Sequence, residues 1–380
     1  MIHTTAHGLY VHIPICLSRC AYCDFPSEVN DPAGCAPLVD GLLAELKHTL
    51  PTGTPLQTVY LGGGTPSCLP VDEIRRLLDG IRQHTCFTEC CEVTVEANPD
   101  TVTLDWALAT HTNGVNRISL GVQTLDDTLL RQLSRRHTAA RAYQAYTDIR
   151  QAGCTNVSVD LMFGLPAQRL SDWQHVLRTV IDWRPDHVSM YALTLEGDTP
   201  MQAAWESGKL ILPDESETAD MMTTGADILK QSGYEWYEVS NFALPGMRSR
   251  HNQLYWKAEP VAALGPGASG YDGRMRYCRL WPADAWLAAL QTGASTIADS
   301  ENLAYDAALG EYLMLAFRTA DGVSKERLTA RFGEHAWPET LQRCALLAQQ
   351  GLITRCDNRL SPTERGFLFH STIAEAVLRP

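Results

Sequence analysis

Short apolar runs alternate with amphipathic stretches along the first half of the chain. Residues 9–14, 58–63, 91–99, 116–123, 155–164 and 187–194 are rich in β-branched and aromatic residues and predict strands. Between them, 36–50, 71–84, 103–112, 126–133, 139–152 and 171–182 carry apolar residues at helical period. Alternation of this kind means parallel strands joined by right-handed helical crossovers. Six units fall short of the roughly eight that close a full barrel. The expectation is an α/β fold: an open, partial (β/α)6 barrel over residues 1–200, extended by residues 201–299.

The pattern changes beyond residue 300. Residues 305–318, 323–332 (with Ser324 as N-cap) and 338–350 read as helices, 351–354 and 358–361 as a two-stranded wing, and 363–369 as a last helix. A small winged-helix-like α+β domain over 300–380 is expected. It lacks a dense basic recognition helix, so a lid or a protein-docking surface is favoured over DNA binding.

Charge and composition narrow the partners. The chain has 380 residues, 45% hydrophobic and 20% charged, with net charge −13. An acidic surplus argues against nucleic acid or an anionic membrane surface, which both need a basic face. No apolar run approaches the length of a membrane span, and the opening MIHTTAHGLY lacks the pattern of a signal peptide. Twelve scattered cysteines do not frame a secreted disulfide scaffold, so a reducing cytoplasm is expected. Among them, Cys86, Cys90 and Cys91 read as ordinary thiols, since adjacent strand residues face opposite ways.

Candidate chemistry gathers after the strands, where parallel α/β folds place their sites. Cys16, Cys20 and Cys23 follow the first strand in a C-x3-C-x2-C spacing. Three such thiolates can hold three irons of a [4Fe–4S] cube and leave the fourth iron open. A zinc knuckle or three buried structural cysteines are the alternatives, with Asp24 the only nearby fourth ligand. Gly62-Gly63-Gly64-Thr65-Pro66 follows the second strand, as a ligand cradle or as a tight turn. Glu96 and Asp160 sit near strand ends, where a carboxylate serves a ligand, a helix cap or an arginine equally well. Gln123 and Arg135 are placed to hold a ribose and a carboxylate, although Arg135-Arg136 also reads as a solvated helix end.

Tyr10-Val11-His12-Ile13-Pro14 before the three cysteines, then GGGTP, EANP, RISLGVQ and DLMFGLP in that order, resemble the radical S-adenosylmethionine (SAM) superfamily. The resemblance is to the branch of oxygen-independent coproporphyrinogen dehydrogenases and their heme-chaperone relatives, from about residue 8 to about residue 270 and more loosely to the end. It implies a [4Fe–4S] cluster on Cys16, Cys20 and Cys23, with SAM chelating the open iron. By position, Tyr10, Gly63, Gly64, Thr65, Glu96, Gln123, Arg135 and Asp160 match the branch's SAM-contacting residues.

Three departures separate the chain from the dehydrogenases. Phe25 stands where they carry a further cysteine. The cluster motif begins at residue 16, where they have a longer N-terminal extension. His251-Asn252-Gln253-Leu254-Tyr255-Trp256 matches the H-N-x-x-Y-W signature of the heme chaperones. Neutral imidazole is a common heme ligand, so His251 is the expected iron ligand, with Tyr255 and Trp256 packing on the macrocycle. The bland reading of that segment is a strand end with a surface histidine and two core aromatics. The Gly265–Gly270 turn that follows is expected to shape a cavity mouth.

The resemblance therefore implies a heme chaperone that binds heme, a [4Fe–4S] cluster and SAM and passes heme to apo-proteins such as respiratory enzymes. Implied partners are that acceptor, an electron donor if SAM is cleaved, and a membrane reached peripherally through a partner; the oligomeric state stays open. The alternatives are enzymes of the same branch: the dehydrogenase, which converts propionates to vinyls, or a methyltransferase or cyclopropanase.

Overall fold

Residues 6–31 and 34–378 are described by the computed structural model. The first five residues, part of the stretch read for a signal peptide, lie outside them, as do the last two of the C-terminal region.

Six parallel strands stand side by side in chain order: β1 (Gly8–Ile13), β2 (Pro55–Gly63), β3 (Cys86–Ala97), β4 (Arg117–Gln123), β5 (Asn156–Phe163) and β6 (His187–Ala192). Every residue of β4 is buried, as expected of a strand covered on both faces. Helices α1 (Ala36–Thr49), α2 (Val71–His84), α3 (Leu104–Thr112), α4 (Asp127–Gln132), α5 (Ala139–Gln151) and α6 (Leu170–Trp183) form the crossovers. Helix α2 shows why. Ile74, Leu77, Leu78 and Ile81 make one buried stripe, with Asp72 and Glu73 in the first turn and Arg82 and His84 in the last. Thr103, Asp126 and Thr138 cap α3, α4 and α5 through side-chain oxygens.

The sheet does not close on itself. After α7 (Pro200–Glu206) and α8 (Glu215–Gln231) come β7 (Glu235–Glu238) and β8 (Asn241–Ala243); β8 pairs antiparallel with β6, and β7 antiparallel with β8 at the edge. Following α9 (Arg250–Trp256), β9 (Val261–Leu264) pairs parallel to β1. Beyond it lie β10 (Ser269–Tyr271), β11 (Met275–Arg279) and β12 (Ile297–Asn302), antiparallel in turn. The twelve strands run β12-β11-β10-β9-β1-β2-β3-β4-β5-β6-β8-β7. The strand that precedes the cysteines is therefore central, with parallel partners on both sides.

The C-terminal region has a hydrophobic core of its own, including Leu313, Phe317, Leu328, Leu347, Leu360 and Ile373. It comprises α11 (Tyr305–Ala316), α12 (Lys325–Phe332), α13 (Ala336–Arg343), α14 (Ala345–Gln349) and a small sheet, with α10 (Ala283–Thr292) preceding it. The sheet is β13 (Val323–Ser324), β15 (Arg359–Pro362) and β14 (Ile353–Cys356), in that order, followed by α15 (Glu364–Leu368) and α16 (His370–Leu378).

Several expectations shift here. Residues 323–324 form a strand edge, and Ser324 starts α12 without a side-chain cap bond. The helix expected over 338–350 breaks at Cys344, and a further helix follows the wing. Strand β3 starts five residues early, and within it Cys90 is exposed while Cys91 is buried, on opposite faces.

Candidate functional site

The cysteine segment is anchored before and after its thiols. Ile15–Cys16 pairs in parallel with Glu28–Val29 and closes the segment into a loop. His12 reaches across from β1. Its Nε2–H donates to Pro26 O at 2.8 Å, and Nδ1 accepts from the Tyr10 hydroxyl at 2.9 Å. The Ala21 N–H donates to Leu133 O at 3.1 Å, which ties the loop to the end of α4. Burial pushes all three thiols above the ordinary cysteine range, and the Arg135 charge pulls each back.

The glycine turn packs directly on this loop. Gly64 N–H donates to Ile13 O at 2.9 Å and Thr65 N–H to Ile15 O at 2.8 Å. A Cβ at Gly64 would lie 2.7 Å from the Pro14 carbonyl carbon, and one at Gly63 would lie 2.5 Å from the His12 ring. Gly63 also has φ of +109°. These two glycines are thus required by close approach. Thr65 Oγ1 lies 3.5 Å from the Cys16 sulfur and accepts from Asn98 Nδ2 at 3.1 Å.

Carboxylates and cations line the barrel lumen behind. Glu96 accepts from the Tyr60 hydroxyl at 2.7 Å and from Gly63 N–H at 3.1 Å. Asp160 lies 3.0 Å, through each oxygen, from the Ser119 hydroxyl and accepts from Ser158 Oγ at 3.1 Å. Burial raises both carboxyls despite those donors. Gln123 adopts φ of +67°, rare for a residue with a side chain, and accepts from the Tyr191 hydroxyl at 2.7 Å. Arg135 donates to Asn98 Oδ1 at 2.8 Å and to the hydroxyl of Tyr22, a residue inside the cysteine loop.

One cavity of about 520 Å³ touches all of these. Cys16, Cys20, Cys23, Tyr10, Gly63, Gly64, Thr65, Glu96, Gln123, Arg135 and Asp160 each line it. That volume suits a small-molecule cofactor. Among the described residues no three His, Cys, Asp or Glu side chains are placed to hold a single metal ion. A cluster asks for something else, since each of its thiolates meets a different iron. Among the described residues the Arg135 Nε and the Nε and Nη1 of Arg117 are buried without a hydrogen-bond partner. Two cations with unused donors in one cavity fit a ligand bearing a carboxylate.

Sequence reading missed several lining residues. Asn98 and Arg117 sat in quoted motifs, EANP and RISLGVQ, which was their available signal. Ser119 sat in RISLGVQ as well, whereas Tyr22 and Tyr191 carried no signal beyond position.

The heme candidates lie elsewhere. HNQLYW is helical, not a strand end, and belongs to α9. Glu92 caps that helix, accepting from the N–H groups of Arg250 and His251 at 3.0 Å each. His251 is 1% exposed. Its Nδ1 pairs with Thr58 Oγ1 at 2.8 Å and its Nε2 with the Tyr255 hydroxyl at 3.1 Å. Its basicity is pushed down to about 3, by burial first and the Arg117 charge second. His251 and Tyr255 are brought together, whereas Trp256 stands under the Arg318 guanidinium, 4.4 Å from its ring centre. In the glycine turn, Gly265 and Gly267 pack near His12 and Pro26, while Ser269 and Gly270 line a second cavity.

A partial parallel barrel with three cysteines at the end of its first strand, over one polar cavity, defines the radical SAM class. The Radical SAM superfamily model matches residues 10–180, and the HemN C-terminal domain model matches 303–369. The chain is 32% identical to "Heme chaperone HemW" of Bacillus subtilis over 97% of this chain and 98% of that one. It is 34% identical to "Heme chaperone HemW" of Lactococcus lactis over 98% and 97%. It is also 34% identical to the zebrafish (Danio rerio) "Radical S-adenosyl methionine domain-containing protein 1, mitochondrial" over 93% and 84%. Among solved structures, the coproporphyrinogen III oxidase HemN of Escherichia coli has the same fold, with TM-score 0.85, 21% identity, and 100% and 91% of the two chains covered. The chain belongs to the HemW family of radical SAM proteins.

Proposed function

We propose that this chain is a heme chaperone that holds a [4Fe–4S] cluster and SAM in its barrel and carries heme on the segment around α9. Family membership supports this role. The observation that carries it is His251: a histidine kept neutral by burial, stacked on Tyr60, which lines the first cavity, and bonded to Tyr255, which lines a second. Neutral imidazole is the form that ligates iron.

In this reading Cys16, Cys20 and Cys23 hold the cluster. Tyr10, Gly63, Gly64, Thr65, Glu96, Gln123, Arg135 and Asp160 surround SAM; His251, Tyr255 and Trp256 serve heme. When bound, the cluster supplies one electron and an open iron for a nitrogen and oxygen chelate. Arg135 offers its free Nε to the SAM carboxylate and fixes the cysteine loop through Tyr22. Glu96, held by Tyr60 and Gly63, accepts from ligand N–H or hydroxyl groups. Phe25 is 62% exposed at the cavity lining, a place where the dehydrogenases carry cysteine, and this supports a carrier over a decarboxylating enzyme.

The three-part division at residues 200 and 300 belongs to the same proposal, supported by the separate C-terminal core. So do a cytoplasmic setting, an electron donor if SAM is cleaved, and a membrane reached only through a partner. Among the described residues no helix is long and apolar enough to cross a membrane. An apo-protein that accepts heme follows from the chaperone role.

The test is spectroscopic. After anaerobic cluster reconstitution, hemin should give a Soret band whose position or intensity changes in His251→Ala. A wild type with no Soret band, or a variant with an unchanged one, overturns the proposal.

A further inference from the structure

The second cavity, of about 410 Å³, opens between the barrel extension and the C-terminal region. Tyr255 supplies one wall from α9, Tyr271 another from β10, and Leu303, Tyr312, Leu315 and Phe332 come from the C-terminal side. Most of that surface is aromatic or aliphatic. Its charged lining is Arg274, Arg276 and Arg331 with Glu259 and Glu311, and both glutamates are engaged by arginines, Glu259 by Arg327 and Glu311 by Arg276.

The three arginines are not alike. Arg276 is neutralised by Glu301 and Glu311. Arg331 has no carboxylate partner among the described residues. It donates to Ala258 O at 2.8 Å and to the Tyr271 hydroxyl, and it lies over the rings of Tyr271, Tyr312 and Phe332. Arg274 is exposed, and among the described residues its side chain has no partner. In a chain with 44 acidic and 31 basic residues, two cations left without acids at one apolar cavity are unusual. They match a ligand with an apolar body and anionic groups on one edge.

The inner wall leads to His251. The Tyr255 ring meets the imidazole edge-on at 5.1 Å, and its hydroxyl occupies Nε2. In the tautomer in which Nδ1–H donates to Thr58, Nε2 holds a lone pair that accepts from Tyr255. Withdrawing that hydroxyl presents the lone pair toward the cavity.

We propose that this second cavity is the heme pocket, with the propionates on Arg274 and Arg331 and Tyr255 as the group displaced when His251 takes the iron. This rests on the heme-chaperone reading and adds the place and orientation of the cargo. The C-terminal region is then one wall of the container. A purely structural Arg331, clamping that region to the barrel, would be indifferent to the propionates.

The test titrates the full, cluster-loaded chain with ferric heme and, separately, with its propionate dimethyl ester, following the Soret band. Wild type, Arg274→Glu and Arg331→Gln are compared, with thermal melting of each. The expected result is heme binding weakened about tenfold or more in each variant, ester binding unchanged, and the Soret maximum of bound heme as in wild type. Heme affinity equal to wild type in both variants overturns the pocket, while heme binding by wild type keeps the chaperone reading. Equal loss of heme and ester also overturns it, because the arginines then act on structure alone. Arg274→Glu keeps the test decisive if Arg331→Gln melts early, since Arg274 supports no contact. A wild type that binds neither ligand overturns the chaperone reading itself.

Discussion

The imidazole of His251 stacks on the ring of Tyr60, with centroids 5.0 Å apart and planes inclined by 29°. The Tyr60 hydroxyl donates to Glu96 on the other side. Glu96, Tyr60, His251 and Tyr255 therefore form a chain of contacts from the first cavity to the second. Tyr60→Phe keeps the stacked ring and removes the donor. A hydrogen bond to a charged acceptor contributes about 1.5–3 kcal/mol, so SAM affinity should fall about tenfold or more. Heme affinity without SAM should stay level. Equilibrium binding of each ligand checks this, and unchanged SAM affinity would count against the role given to Glu96.

Arg135 ties the cofactor cavity to the cysteine loop. A lysine keeps the charge but cannot serve Asn98, Tyr22 and a ligand carboxylate from one planar fork. Arg135→Lys should therefore lower both SAM affinity and iron retained per chain after reconstitution. Loss of SAM affinity alone, with full iron content, would show that Tyr22 is not held through Arg135. Cys20→Ser should abolish the cluster absorption outright.

Gly64→Ala is expected to damage cluster assembly without touching a ligand atom. The added methyl meets backbone at Pro14 and Ile15, and neither can move aside cheaply. Overpacking of this kind costs about 1–3 kcal/mol. Urea unfolding should show that loss and iron analysis a depleted cluster. A variant as stable and as iron-loaded as wild type would refute the close packing.

Glu238 sets a pH dependence at the seam between barrel and C-terminal region. Its carboxyl is pushed up to about 7, chiefly by burial, against the opposing charge of Arg318 and the amides of Asn241 and Ser240. Unfolded, it titrates at its ordinary value near 4.5. Between those values the folded chain holds the extra proton, so stability falls as pH rises through that window. The slope from this one group is at most about 1.4 kcal/mol per pH unit. Glu238→Gln removes it. Unfolding curves across that window should therefore differ in slope between the two proteins, and parallel slopes would reject the assignment.

The barrel was legible because its strands are buried on both faces and its helices are striped. Helix α2 runs over the predicted residues, 71–84, for that reason. That the candidate residues line one cavity was legible because they gather after successive strands, so chain order already places them around one rim. What resisted reading was long-range. Arg117 lies inside an apolar strand, and only the lumen explains a buried cation there. His251 meets Tyr60 across 191 positions, so no local pattern announces their stacking. The six residues HNQLYW are too short for periodicity to tell helix from strand. Helix α9 is started by the Ser249 hydroxyl, which accepts from Asn252 N–H, and by Glu92, which reaches its first turn from a distant strand.

The C-terminal region's separate core has a mechanical consequence. Across the seam run Lys230–Glu364, Arg248–Asp321 and Arg327–Glu259, all partly exposed, with the Trp236–Phe367 ring contact beside them. Exposed ion pairs contribute under about 1 kcal/mol each and weaken with salt. Salt should loosen these outer pairs and leave the buried Glu238–Arg318 pair and both cores in place.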